Sequence, residues 1–157
     1  TALGNGGIFW IALALLMLAL HKYRRAGLAM SVALLLGLVV CNLTLKPLVA
    51  RIRPYDYQLT AFGKSISLLI AAPHDFSFPS GHTIASFEGA TALLLYDRKL
   101  GVPAMVLAVL IAFSRLYLYV HYPTDVLASV VLGVGFAFLG KLLSDKIFRL
   151  AESRRQK

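Results

Sequence analysis

Apolar residues in this chain fall in long blocks instead of alternating with polar ones. Five blocks approach or exceed the roughly 18 residues that cross a hydrocarbon layer of about 30 Å as a helix, in which every backbone donor and acceptor is satisfied internally. They are Leu3 to Leu20, Ala26 to Leu45, Ser80 to about Tyr96, Val102 to about Val120 and Thr124 to about Leu143. The second is the cleanest, with only Ser31, Asn42 and Thr44 polar near its length, while the third carries Glu88. The pattern predicts an all-α, polytopic membrane bundle of about five transmembrane helices forming a single domain. Between the second and third blocks lies Lys46 to Pro79, whose apolar patch Ile66 to Ala72 is too short to span and is expected at the interface or over the site.

Basic residues orient this bundle, because Lys and Arg in short loops stay on the cytoplasmic side. Lys22, Arg24 and Arg25 mark one inner loop, Arg98 and Lys99 the next, and Lys146, Arg149, Arg154, Arg155 and Lys157 the tail. The N-terminus, the Lys46 to Pro79 segment and the turn His121 to Thr124 are thereby left together on the outer side. Trp10, Tyr23, Tyr55, Tyr57 and Tyr122 read as interface anchors. The chain opens on Thr1 and enters its first block at once, so an upstream segment is expected to be missing; Ile8 to Leu20 has neither the basic flank nor the cleavage site of a signal peptide.

Composition agrees. Of 157 residues 59% are hydrophobic and 15% charged, and the mean hydropathy of +0.75 lies far from that of a soluble domain. The net charge of +9 sits largely in clusters beside apolar blocks, and no nucleic-acid motif accompanies it. Cys41, the only cysteine, lies inside an apolar block and can build neither a disulfide framework nor a cysteine metal site.

Ionisable residues are costly in a membrane chain, so those gathered on one side call for a function. Three groups gather on the outer side. Lys46 and Arg53 flank the end of the second block in KPLVARIRP and offer a point charge and a planar fork to an anion, although alone they read as a snorkelling basic flank. In FPSGH, Pro79 stops the preceding chain, Ser80 suits an N-cap, and Gly81 lets backbone N–H groups approach an anion at a helix N-terminus, with His82 beside it. In SRLYLYVHYPTD, Pro123 places His121 at a turn and Asp125 in the first turn of the next helix, where its carboxylate can accept Nδ1–H and leave Nε2 to attack. Arg115, deeper in the fourth block, needs an anionic partner.

In order, Lys-x6-Arg-Pro, Pro-Ser-Gly-His and Ser-Arg-x5-His-x3-Asp resemble the motifs of the type 2 phosphatidic acid phosphatase superfamily, which includes bacterial membrane lipid phosphatases, soluble acid phosphatases and vanadium haloperoxidases. The resemblance implies a histidine nucleophile at His121, oriented by Asp125, with His82 as general acid. Lys46, Arg53, Ser80, Gly81 and Arg115 would hold the phosphate. It implies a phosphohistidine intermediate, no cofactor and no metal, since the cations supply the charge. The expected partner is a phosphorylated lipid, with undecaprenyl diphosphate first, then phosphatidylglycerol phosphate and phosphatidic acid. The expected location is a bacterial cytoplasmic membrane with the site on its outer side. The rivals are a non-catalytic lipid carrier or structural membrane protein and a vanadate-dependent peroxidase. Glu88 is left open between a buried hydrogen-bonded acid, a partner for a cation and a subunit contact. Arg51 is left between phosphate contact and flank, Lys64, His74 and Asp75 are expected in solvent, and the oligomeric state is not readable.

Overall fold

The computed structural model of the chain describes residues 7–155, apart from the Arg155 side chain. Helix α1 (Ile8–Ala19) leads through a short 3-10 turn, His21–Tyr23, into α2 (Arg24–Leu36). The helix then widens into a π-helical stretch, Gly37–Leu45, and ends in α3 (Lys46–Val49). Helix α4 (Pro54–Phe62) starts on a proline, whose missing N–H is no loss in a first turn, and stops at Gly63, which adopts φ 64°. After the irregular segment 63–80 come α5 (Gly81–Tyr96), α6 (Arg98–Tyr117) and α7 (Pro123–Arg155). No strand occurs among the described residues.

The boundaries refine the sequence reading. Three stretches, His21–Phe62, Arg98–Tyr117 and Pro123–Arg154, are long and apolar enough to cross a membrane, whereas Ile8–Ala19 is apolar but shorter. The first block begins before the described residues, which take it up only at Ile8. The last helix runs on to Arg155, twelve residues beyond the apolar limit at Leu143, because nothing in the polar tail breaks a helix. The patch Ile66 to Ala72 forms no helix.

Helix α5 is the centre of the bundle, packed against α2, α6 and α7. Its 16 residues extend about 24 Å at the α-helical rise, and from Ser86 to Leu93 every position is buried. Small residues let the helices close on one another, as membrane helices require. A Cβ on Gly140 of α7 would stand 2.3 Å from the Ala29 carbonyl oxygen of α2, and one on Gly89 would stand 2.2 Å from the Trp10 ring. Trp10 is therefore core and not an interface anchor: it is fully buried, and its Nε1 donates to Ser86 Oγ at 3.1 Å. Leu35, Val106, Leu110, Phe113, Val131 and Leu142 face outward as a lipid-facing coat. The protein is an integral membrane protein.

The two ends of the bundle differ. At one, Arg25 pairs with Glu152, Ser144 Oγ donates to the Arg25 carbonyl and Tyr96 OH donates to Asp145, drawing together the α1–α2 turn, the end of α5 and the tail of α7. Lys157 lies outside the described residues. The other end receives the last turn of α6, the first turns of α5 and α7, and the segment from Lys46 onward.

Candidate active site

The α6–α7 connection places a buried imidazole between a cation and a carboxylate. Tyr119 takes a left-handed backbone, φ 57°, which turns the chain so that Val120 and His121 point inward; His121 is 4% exposed. Its Nε2 lies 3.2 Å from Nη1 of Arg53. A guanidinium can only donate, so Nε2 is the acceptor and the ring proton sits on Nδ1. That nitrogen faces Asp125 Oδ2 at 3.7 Å, one turn along the chain, an ion-pair separation longer than a hydrogen bond. Burial lowers the His121 pKa, the Arg53 and Arg115 charges add to this, and Asp125 opposes it.

Asp125 is itself fully buried and held from several sides. Its Oδ2 accepts from Ser77 Oγ at 2.5 Å and from the Tyr122 backbone N–H at 3.0 Å, and its Oδ1 accepts from Arg51 Nη1 at 2.6 Å. Arg51 also donates to Thr124 Oγ1 at 2.7 Å and lies over the Tyr122 ring, 4.0 Å from its centroid.

Arg53 ties the segment before α4 to this turn. It is 3% exposed, donates from Nη1 to the Val120 carbonyl at 2.7 Å and from Nε to the Asp75 carbonyl at 2.8 Å. Its Nη2 donates to Asp75 Oδ1 at 2.6 Å, while the other carboxylate oxygen pairs with Lys46. Desolvation pushes the Asp75 carboxyl up, but hydrogen bonds and charge from Lys46 and Arg53 outweigh it and hold the group at about 2. Arg115 is 2% exposed, and its Nε and Nη1 have no hydrogen-bond partner, so a guanidinium stands ready for an anion.

Lys46, Arg53, Gly81, His82, Arg115 and His121 all line one cavity of about 770 Å³. Its other walls are largely apolar, among them Ile11, Leu15, Leu34 and Leu38, with Ser31, Asn42 and Glu88 as polar exceptions. Such a space can take an anion at one end and hydrocarbon at the other. Ser80 is not on this wall. It is fully buried, its N–H donates to Ser129 Oγ at 2.8 Å and its Oγ accepts from Thr83 at 3.0 Å. It occupies the N-cap position of α5 without a side-chain cap bond.

The family model described as the PAP2 superfamily matches residues 26–149. The chain belongs to the PAP2 superfamily. Among similar PAP2 proteins, the undecaprenyl-diphosphatase of Sulfolobus acidocaldarius is 32% identical over 131 residues, covering 83% of this chain and 61% of the relative. The undecaprenyl-diphosphatase BcrC of Bacillus subtilis is 38% identical over 81 residues, covering 52% and 42%. The decaprenylphosphoryl-5-phosphoribose phosphatase of Mycobacterium tuberculosis is 36% identical over 132 residues, covering 83% and 68%. The chain thus spans 61% and 42% of the length of the first two relatives. The crystal structure of a transmembrane PAP2-type phosphatidylglycerolphosphate phosphatase from Bacillus subtilis superposes with a TM-score of 0.69 at 28% identity, over 93% of this chain and 75% of that one.

The PAP2 motifs do not contain everything at the site. Asp75 is exposed, as expected, and in addition bridges Lys46 and Arg53, because the segment 63–80 folds back over the cations, which draw a carboxylate from the loop above them. Arg51, partly exposed, is not among the residues lining the cavity and instead pairs with the back of Asp125. Ser77 was not singled out, although a hydroxyl three residues before a buried helix start is a ready donor for a carboxylate. Tyr122 also serves as a platform for Arg51.

Proposed function

We propose that this chain is a metal-independent lipid phosphatase working through a phosphohistidine at His121. The observation carrying the reading is the gathering of His121, His82, Lys46, Arg53 and Arg115 at one end of a cavity whose remaining walls are largely apolar. An anionic headgroup fits the first, a lipid chain the second.

The phosphate enters beside the N-terminus of α5, where the helix dipole and the Gly81 N–H favour negative charge. Lys46, Arg53 and Arg115 hold its oxygens and stabilise the charge that spreads over them in the transition state. Nε2 of His121 attacks phosphorus, the bond to the lipid oxygen breaks, and His82 gives that oxygen a proton. Asp125 stabilises the positive ring that results. Water, passing a proton to His82, then attacks the phosphohistidine and releases inorganic phosphate. For a diphosphate the leaving group is the lipid monophosphate.

The candidate substrates are phosphate or diphosphate esters of membrane lipids: polyprenyl diphosphates, phosphatidylglycerol phosphate and phosphatidic acid. The site faces away from the cytoplasm in this reading, because the basic clusters gather at the opposite end of the bundle. Phosphate release in detergent with a chelator present tests the reaction. The wild type is expected to turn over and His121→Ala to lose at least about 10³-fold; equal rates overturn the assignment.

A further inference from the structure

Beneath the cations, the apolar wall of the cavity carries two oxygen atoms that nothing satisfies. Glu88 of α5 is 1% exposed, and its Oε1 is buried with no hydrogen-bond partner. The buried Oδ1 of Asn42, on the π-helical stretch, has no partner either. Both residues line the cavity, and both unsatisfied atoms can accept hydrogen bonds.

Their placement is built into the backbone. Gly81, Ile84, Ala85 and Glu88 recur at helical spacing and form one face of α5, so Glu88 lies directly below the helix start that receives the phosphate. Seven residues separate Gly81 from Glu88, about 10 Å along the axis, and the side chain leans back toward the N-terminus. Asn42 closes the upper end: its Oδ1 lies 3.2 Å from where a Cβ on Gly81 would be. At the lower end the Glu88 carboxyl rests on Gly37, where a Cβ would stand 2.1 Å from Oε1. The i to i+5 bonding of a π-helix turns Gly37 and Asn42 to the same side. The two acceptors therefore descend from the phosphate position along the path of the leaving group.

A hydrocarbon chain in this position would leave both oxygens without donors, whereas an alcohol bearing hydroxyl groups close to its phosphoester would satisfy them. We propose that Asn42 and Glu88 form a subsite for hydroxyls on the leaving alcohol, so that the preferred substrate is a phosphomonoester on a glycerol- or sugar-bearing lipid. This rests on the lipid-phosphatase reading and narrows its substrate class. Discrimination of this kind is strong, because an analogue lacking the hydroxyl leaves buried polar groups unpaired.

A matched pair of substrates tests it: 1-oleoylglycerol 3-phosphate and 1-oleoyl-propane-1,3-diol phosphate, which differ by one hydroxyl beside the phosphoester carbon. The expected result is at least about a tenfold higher kcat/KM for the hydroxylated lipid, collapsing to within about threefold in Asn42→Ala and in Glu88→Leu, with Glu88→Gln retaining part of the preference. Wild-type rates within twofold of each other overturn the subsite without any variant having to fold. If neither lipid, nor phosphatidic acid, nor undecaprenyl diphosphate releases phosphate, the phosphatase reading itself fails.

Discussion

Asp75 grips Arg53 twice, its backbone carbonyl accepting from Nε at 2.8 Å and its carboxylate from Nη2 at 2.6 Å. With Lys46 on the other carboxylate oxygen, a loop residue links the two cations of the first motif and lies where an incoming anion would meet them.

The carboxylate half of that grip opposes an anion, while the carbonyl half holds Arg53 in place without opposing it. Asp75→Asn keeps the shape and removes the charge. Inhibition by inorganic phosphate or vanadate is expected to tighten by about 3- to 10-fold, the scale of one partly screened charge near the site. Inhibition constants at fixed ionic strength measure it, and weaker inhibition contradicts it. Because the carboxyl is held near 2, the pairing contributes stability above the ordinary aspartate value of about 3.9 and loses it as pH falls toward 2.

The pH profile should carry the mark of a buried nucleophile. Burial and the neighbouring cations disfavour the imidazolium of His121, whereas Asp125 favours it. The neutral ring therefore persists below the ordinary histidine value of about 6.5, and the acid limb of kcat/KM assigned to His121 is expected below that pH. Asp125→Asn removes the group that raises the pKa, so the limb should shift further down while kcat falls by about 10²- to 10⁴-fold. For stability the sign is the same as for Asp75: the folded state holds the pKa down, the unfolded chain takes up this proton first, and folding weakens as pH drops below about 6.5.

Arg51 acts through Asp125 and is not among the residues lining the phosphate cavity. Arg51→Leu leaves a buried carboxylate short of a cation and is expected to lower kcat by about 10- to 100-fold with little change in KM. The acid limb should move up, because an aspartate without Arg51 pulls harder on the imidazole. Arg51→Lys should restore part of the rate. A change confined to KM would instead make Arg51 a substrate contact.

The sequence made the bundle and the reacting end legible for different reasons. Helix blocks show because lipid demands long apolar runs, and the three motifs show because their charges are costly anywhere but at a site. The α7 boundary was hidden, since apolar length ends at the membrane while the helix continues to Arg155. Trp10 was misread because an amphipathic ring suits an interface and an inter-helix packing site equally, and only the Ser86 hydroxyl, 76 positions away, decides between them. Asp75 and Arg51 depended on how an irregular segment folds over the cations, which no periodicity encodes. Glu88 stood open for the same reason: Gly37, on which its carboxyl rests, comes from another segment, and the π-helical widening that presents it has no sequence period of its own.

The central claim is a covalent bond between phosphorus and one nitrogen. Rapid quenching of the enzyme with ³²P-labelled lipid substrate, followed by alkaline digestion and peptide mapping, should find label on the peptide holding His121, stable to base and lost in acid. In His121→Ala that label should vanish. Turnover without any phosphopeptide, or label on His82 with His121 unmodified, would contradict the account.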